Sequence, residues 1–173
     1  MKRVKNWTSM AALAALASTA QAALISQGDG TVLDSTTHLV WLQDWNVNGG
    51  QTWATQKAWA ENLSLAGSSD WVLPAISDYQ ALFAEFGNLT LLPQFMHVRP
   101  NGYWSSTESI PGVKAFDFGP AGGLQGHSVL GLSLFAVAVR PADVAAAVPE
   151  PQTLALALLA LGAAVAARKR RPA

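Results

Sequence analysis

The two ends of this 173-residue chain restrict what can fold, because each carries a short apolar stretch flanked by charge. Residues 1–22 open with Lys2, Arg3 and Lys5, continue through an apolar run from Met10 to Ala17, and close on Ala20-Gln21-Ala22. A basic start, a short apolar middle and a small-x-small exit are the parts of a secretory signal peptide, with cleavage expected between Ala22 and Ala23. At the other end Val148-Pro149-Glu150-Pro151 precedes an apolar stretch over 153–167 and the basic cluster Arg168-Lys169-Arg170-Arg171. As a helix at ~1.5 Å per residue, that stretch reaches only ~22 Å against ~30 Å of hydrocarbon. The cluster behind it sets the cytoplasmic side, which places everything upstream across the membrane. Prolines on both sides of Glu150 keep the approach extended and accessible.

The C-terminal pattern resembles the PEP-CTERM sorting signal over residues 148–173: Pro-Glu-Pro, a short apolar helix and an Arg-rich terminus. The resemblance implies recognition and removal of the tail by exosortase, a membrane protease-transpeptidase. It also implies a Gram-negative source that makes extracellular polysaccharide. Membrane insertion through the helix is then transient; an ordinary anchor would retain it at the inner membrane.

Setting the ends aside changes the charge. The whole chain is formally neutral, yet residues 23–150 hold four basic residues (Lys57, Arg99, Lys114, Arg140) against eleven acidic ones, a net of −7. With no basic patch to displace counterions, nucleic acid is excluded as a partner, and anionic polymers are repelled. The interior, 23–147, suffices for one domain with one core. It has no Cys, which excludes disulfides, thiolate metal sites and Cys nucleophiles, and it holds six of the seven Trp.

Turn and strand signals alternate with two helices. Thr31–Leu33 and Leu39–Leu42 read as a hairpin across Asp34-Ser-Thr-Thr37. Thr52 caps a predicted helix running to Ala66, with Ala58, Trp59, Leu63 and Ala66 on one face and Gly67 past its end. Ser77-x-x-Gln80 reads as a capping box for a second helix, whose stripe is Tyr79, Leu82, Phe83 and Phe86 and whose stop is Gly87. Tyr103–Ser106, Ala115–Phe118 and Ser133–Arg140 are strand candidates, with Gly119–Gly123 as a loop. The class is α+β.

Gly30-Thr-Val-Leu-Asp34, Thr37-His-Leu-Val-Trp41, Trp59-Ala-Glu-Asn-Leu63, Asp70-Trp-Val-Leu-Pro74, Tyr103-Trp-Ser-Ser-Thr107, Ala115-Phe-Asp-Phe-Gly119 and Ala138-Val-Arg-Pro141 together resemble the Lcl C-terminal domain family, over about 28–141. The resemblance implies a mixed fold of C-type-lectin-like architecture, related to formylglycine-generating enzymes, with two helices and short antiparallel strands. Two residues depart from the pattern. Val72 stands where Arg is usual, removing a possible buried ion pair or ligand contact, and His38 stands where Gly is customary.

No catalytic or cofactor set emerges. Trp71 and Pro74 read as core and chain direction. Trp104-Ser-Ser-Thr107 lacks the Gly-x-Ser-x-Gly elbow and reads as strand hydrogen bonding. His38, His97 and His127 have no metal-ligand spacing, and formylglycine-type chemistry needs the missing cysteines. Asp44-x-Asn46-x-Asn48-Gly49 copies the first half of a calcium loop, but Thr55 occupies the place of the closing Glu; a plain Asn/Gly turn is the competing reading.

The expectation is therefore a non-enzymatic surface or matrix protein. It is processed by signal peptidase and exosortase, and it binds polysaccharide or a surface partner in a biofilm. The alternatives are a secreted hydrolase using acids such as Glu85, Glu108 or Asp117, and an anchored structural protein that keeps its tail.

Overall fold

The computed structural model describes residues 22–143. The elements run β1 (Leu24–Ser26), β2 (Thr31–Asp34), β3 (Leu39–Leu42), α1 (Trp53–Glu61), α2 (Ile76–Phe86), a 3-10 turn (Leu89–Leu91), β4 (Tyr103–Ile110), β5 (Lys114–Gly119), β6 (Leu124–Val129) and β7 (Val139–Pro141). Two antiparallel sheets result, one ordered β1-β2-β3-β7 and the other β4-β5-β6. With two helices, this is the α+β class expected from the sequence. The residues up to Gln21, where a signal peptide is expected, the sorting motif and the apolar stretch over 153–167 lie outside the described residues.

The first hairpin forms because Asp34 organises its turn from inside. Its buried carboxylate accepts from the Thr36 amide at 2.9 Å and from the Thr37 hydroxyl at 2.7 Å. The turn ends on His38, whose φ of 56° is the left-handed conformation that glycine adopts without cost. The departure from Gly at this position is therefore a local backbone strain on an exposed residue.

α1 starts at the expected cap, with the Thr52 hydroxyl accepting from the Thr55 amide. It stops at Glu61 instead of continuing to Ala66. Leu65 and Ser68 exchange backbone hydrogen bonds, and Ala66 and Gly67 between them have φ of 53° and 75°. Two successive positive φ values make a mirror-image β-turn, which is incompatible with helix. The buried face also differs from the expected one and consists of Trp53, Gln56 and Ala60. Gln56 is buried because its amide is satisfied: Nε2 donates to the carbonyls of Gly49 and Leu134, and Oε1 accepts from Asn48.

In α2 the stripe is as expected: Tyr79 and Leu82 are buried, Phe83 and Phe86 pack against the core, and Gly87 caps the end. The capping box is not at Ser77 and Gln80. The helix already begins at Ile76, so Ser77 lies inside the first turn and is exposed. Asp78 instead reaches back, its Oδ2 accepting from the Ala75 amide at 2.8 Å, while the Thr107 hydroxyl accepts from the Ile76 amide.

β4 extends to Ile110, past the expected Ser106, and β6 and β1 carry no expected counterpart. The run Ser133–Arg140 becomes a strand only from Val139. Upstream it crosses between the sheets: the Phe135 carbonyl accepts from Trp104 on β4, and the Ala138 carbonyl accepts from Leu42 on β3. Val72 pairs with Val139 through an isolated bridge, and its side chain is 44% exposed. An Arg there would reach solvent, so the substitution removes no buried ion pair. The cation that does meet the box is Arg140, whose guanidinium lies 5.6 Å from the Trp71 ring centroid.

Burial outweighs hydrogen bonding at Asp78 and raises its carboxyl above the ordinary 3.8. A carboxyl raised by folding binds protons more tightly in the native state, so its contribution to stability falls as pH climbs from 3.8 through the raised value. Asp78→Asn keeps an acceptor for Ala75 and is expected to abolish that component, which denaturant titrations of both proteins between acidic and neutral pH would resolve. Asp78→Ala loses the acceptor and costs about 1 kcal/mol. His38→Gly is expected to raise stability by about 0.5–1 kcal/mol by relieving the positive φ, read as a higher denaturation midpoint.

Candidate functional site

α2 lies across one face of the β4-β5-β6 sheet without covering all of it. Its first turn is tied to Thr107 on β4, Tyr79 stacks on Phe118 at 5.1 Å, and Phe83 fills the space over Gly123 at the β5–β6 turn. Gln80 donates to Gln125 on β6. Side chains two apart on a strand share a face, so Phe116 points the same way as Phe118. Phe118 is fully buried, whereas Phe116, past the side of the helix, is only half-buried.

The uncovered part of this face forms an open concavity of about 340 Å³ lined by Phe116, Gln125, Gly126 and His127. Phe116 and His127 are direct cross-strand partners, with ring centroids 6.3 Å apart and planes at 39°. Gly126 opposes Asp117, and a Cβ on Gly126 would stand 2.7 Å from Asp117 Oδ1. A side chain at this position would displace the Asp117 carboxylate on the opposite face of the sheet. β6 is the outer strand of its sheet, so one side of its backbone faces away from β5.

In the candidate calcium loop two of the three side chains are engaged by other protein groups, while Asn46 Oδ1 is buried without a hydrogen-bond partner among the described residues. Asp44 Oδ1 accepts from the Asn46 amide at 2.9 Å, and Oδ2 lies 2.9 Å from His97 Nδ1. Asn48 donates its amide to Gln56. Asp44 and Asn48 thus serve the turn and the anchor of α1, and Asp44 holds His97, whose φ of 55° is itself left-handed. Among the described residues no three His, Cys, Asp or Glu side chains group as metal ligands.

The acids considered for hydrolysis go to separate tasks. Glu85 accepts from the Thr36 hydroxyl, Glu108 turns to the Gly112 amide at the β4–β5 tip, and Asp117 packs behind Gly126. Ser105 is buried, donates to the Phe116 carbonyl at 2.9 Å and accepts from Thr107, as strand hydrogen bonding requires. Burial raises the Tyr79 hydroxyl well above its ordinary value and Tyr103 to about 12; both act as fixed hydrogen-bonding groups at neutral pH. Ala23 is held at both its polar backbone atoms by Ser35, and Ala22 is the first described residue. Ala20 and the sorting residues 148–151 and 168–171 lie outside the described residues. The Phe116–His127 pair is not visible in the sequence because β6 carries no strand signal; only a β5–β6 hairpin across Gly119–Gly123 brings the two residues together.

Residues 30–129 match the Lcl C-terminal domain, which defines the class of the fold. The match spans more than half of the chain, and the protein belongs to that family. Residues 147–171 match the PEP-CTERM protein-sorting motif. No curated protein matches the chain. The sorting motif implies export, processing by an exosortase, and a cell-surface or extracellular location. Among the described residues no helix is long and apolar enough to cross a membrane.

Because both Asp44 oxygens are occupied, millimolar calcium is expected to leave the melting temperature where equal magnesium leaves it. A calcium-specific rise that disappears in Asp44→Ala would establish the loop as a metal site.

Proposed function

We propose that the protein is a non-enzymatic surface or matrix protein that binds polysaccharide at the cell exterior, in a bacterium that makes exopolysaccharide and forms biofilm. The observation that carries this reading is the sorting motif at 147–171, joined to a domain that presents an open, uncharged, aromatic concavity. An exported domain at the cell surface meets glycans at high local concentration, so modest affinity is sufficient there. The C-type-lectin-like architecture, with binding carried by a surface rather than a deep cleft, belongs to the same proposal.

Cleavage of a signal peptide after Ala22 also belongs to it. The support is local: among the described residues Ala23 is the first whose backbone is tied to the fold, its N–H donating to Ser35 Oγ at 2.9 Å. The new N-terminus would sit against the folded domain. The dispersal of Glu85, Glu108 and Asp117 to three unrelated structural tasks favours binding over hydrolysis, which requires two carboxyl groups about 5–9.5 Å apart across a substrate.

The test combines intact mass with fractionation. Protein recovered from the medium is expected to lack residues 1–22 and the tail beyond the Pro-Glu-Pro segment. Replacing Pro149, Glu150 and Pro151 with Ala is expected to leave the tail in place and hold the protein with the cells. Equal release of this variant would refute exosortase sorting. For binding, pull-down on the host's own exopolysaccharide should exceed that of an unrelated acidic protein, and equal recovery would refute it.

A further inference from the structure

We infer that the concavity beside α2 is a subsite for one uncharged pyranose unit of a polysaccharide; this assignment rests on the polysaccharide-binding reading above. The first ground is the half-buried ring of Phe116. Its neighbour Phe118 is fully buried beneath Tyr79 and Phe83, so Phe116 marks where the helix ceases to cover the sheet. A pyranose presents a face of C–H groups bordered by hydroxyls. The electron-rich face of a phenyl ring, with the tilted His127 imidazole beside it, complements that C–H face.

The second ground is the amide pair at the rim. Gln80 donates its Nε2 to Gln125 Oε1, which fixes the polarity of both groups. Gln125 retains its NH2 as a donor and Gln80 retains its carbonyl oxygen as an acceptor. One donor beside one acceptor, held by a mutual bond, matches the vicinal hydroxyls of a sugar, each of which can both donate and accept. The outward-facing backbone of β6 adds further donors and acceptors at the same rim.

Size and charge narrow the occupant. A volume of about 340 Å³ sits at the small end of ligand sites, suiting a single ring of a polymer rather than an enclosed oligosaccharide. No carboxylate lines the concavity. The net charge of −7 over residues 23–150 repels anionic polymers. Lys114 lies on the same sheet face two residues from Phe116 and provides the internal test of whether charge matters.

Affinity electrophoresis of the exported protein through gels containing galactomannan, laminarin, dextran or alginate tests the subsite. Retardation by at least one neutral polymer is expected. Phe116→Leu, which keeps apolar volume, should weaken the apparent association about tenfold, and His127→Ala or Gln125→Ala about threefold. Lys114→Ala and the distant surface variant Leu91→Ala should bind as the parent does. Residues 125 and 127 are exposed, so those two variants fold even if Phe116→Leu does not. Retardation of the parent with no change in any of the three site variants would place the glycan elsewhere and leave the polysaccharide reading standing. Retardation by alginate alone, lost in Lys114→Ala, would overturn the uncharged occupant. No retardation by any polymer, together with no recovery on host exopolysaccharide, would remove both.

Discussion

The packing of aromatic rings between the two sheets is the interaction on which the rest of the domain depends. Trp41 on β3 stacks on Trp45 at 5.7 Å with planes 12° apart, and both rings meet Tyr79 of α2 and Phe95. Trp45 also reaches Tyr103 on β4, and Tyr79 stacks on Phe118 of β5. One continuous set of rings therefore joins the first sheet, the second sheet and the longer helix. Each ring removes roughly 150–250 Å² from water, worth roughly 4–6 kcal/mol at ~25 cal/mol/Å². In a chain without cysteine this cluster does the cross-linking that disulfides perform in many exported domains.

The same cluster explains which elements are legible in the sequence. Tyr79, Leu82, Phe83 and Phe86 show a helical period because a helix face covers a flat sheet, and that geometry writes itself directly into spacing. α1 is harder to read because its anchor is Gln56, a polar side chain that is buried through three hydrogen bonds. β6 is harder still. Leu124–Val129 lies at a sheet edge, largely exposed on both faces, so no alternation of apolar and polar residues marks it. The opposite error arises over Ser133–Arg140, where a continuous apolar run reflects burial between two sheets rather than a ladder within one.

The site follows the same logic. Acids, histidines and an Asx-rich loop are the residue types that catalysis and metal binding use. The concavity is instead made by what a helix leaves uncovered. Phe116 and His127 are eleven positions apart and become partners only through the register of β5 and β6. Gly126 looks like an ordinary loop glycine until Asp117 is seen behind it. Long-range register is the least readable property of a single sequence, and here the concavity is composed of it.

The place of β7 in the first sheet has a consequence for the order of events outside the cytoplasm. β7 pairs with β3, and the segment before it stitches β3 to β4, so the first sheet is not complete until residue 141 has crossed. Pro141 ends β7 and the sorting motif begins at residue 147. Six residues, fully stretched, span about 20 Å. The sorting motif therefore follows the last strand of the domain within about 20 Å of chain. Docking of the last strand and recognition of the sorting motif therefore involve neighbouring stretches of the chain.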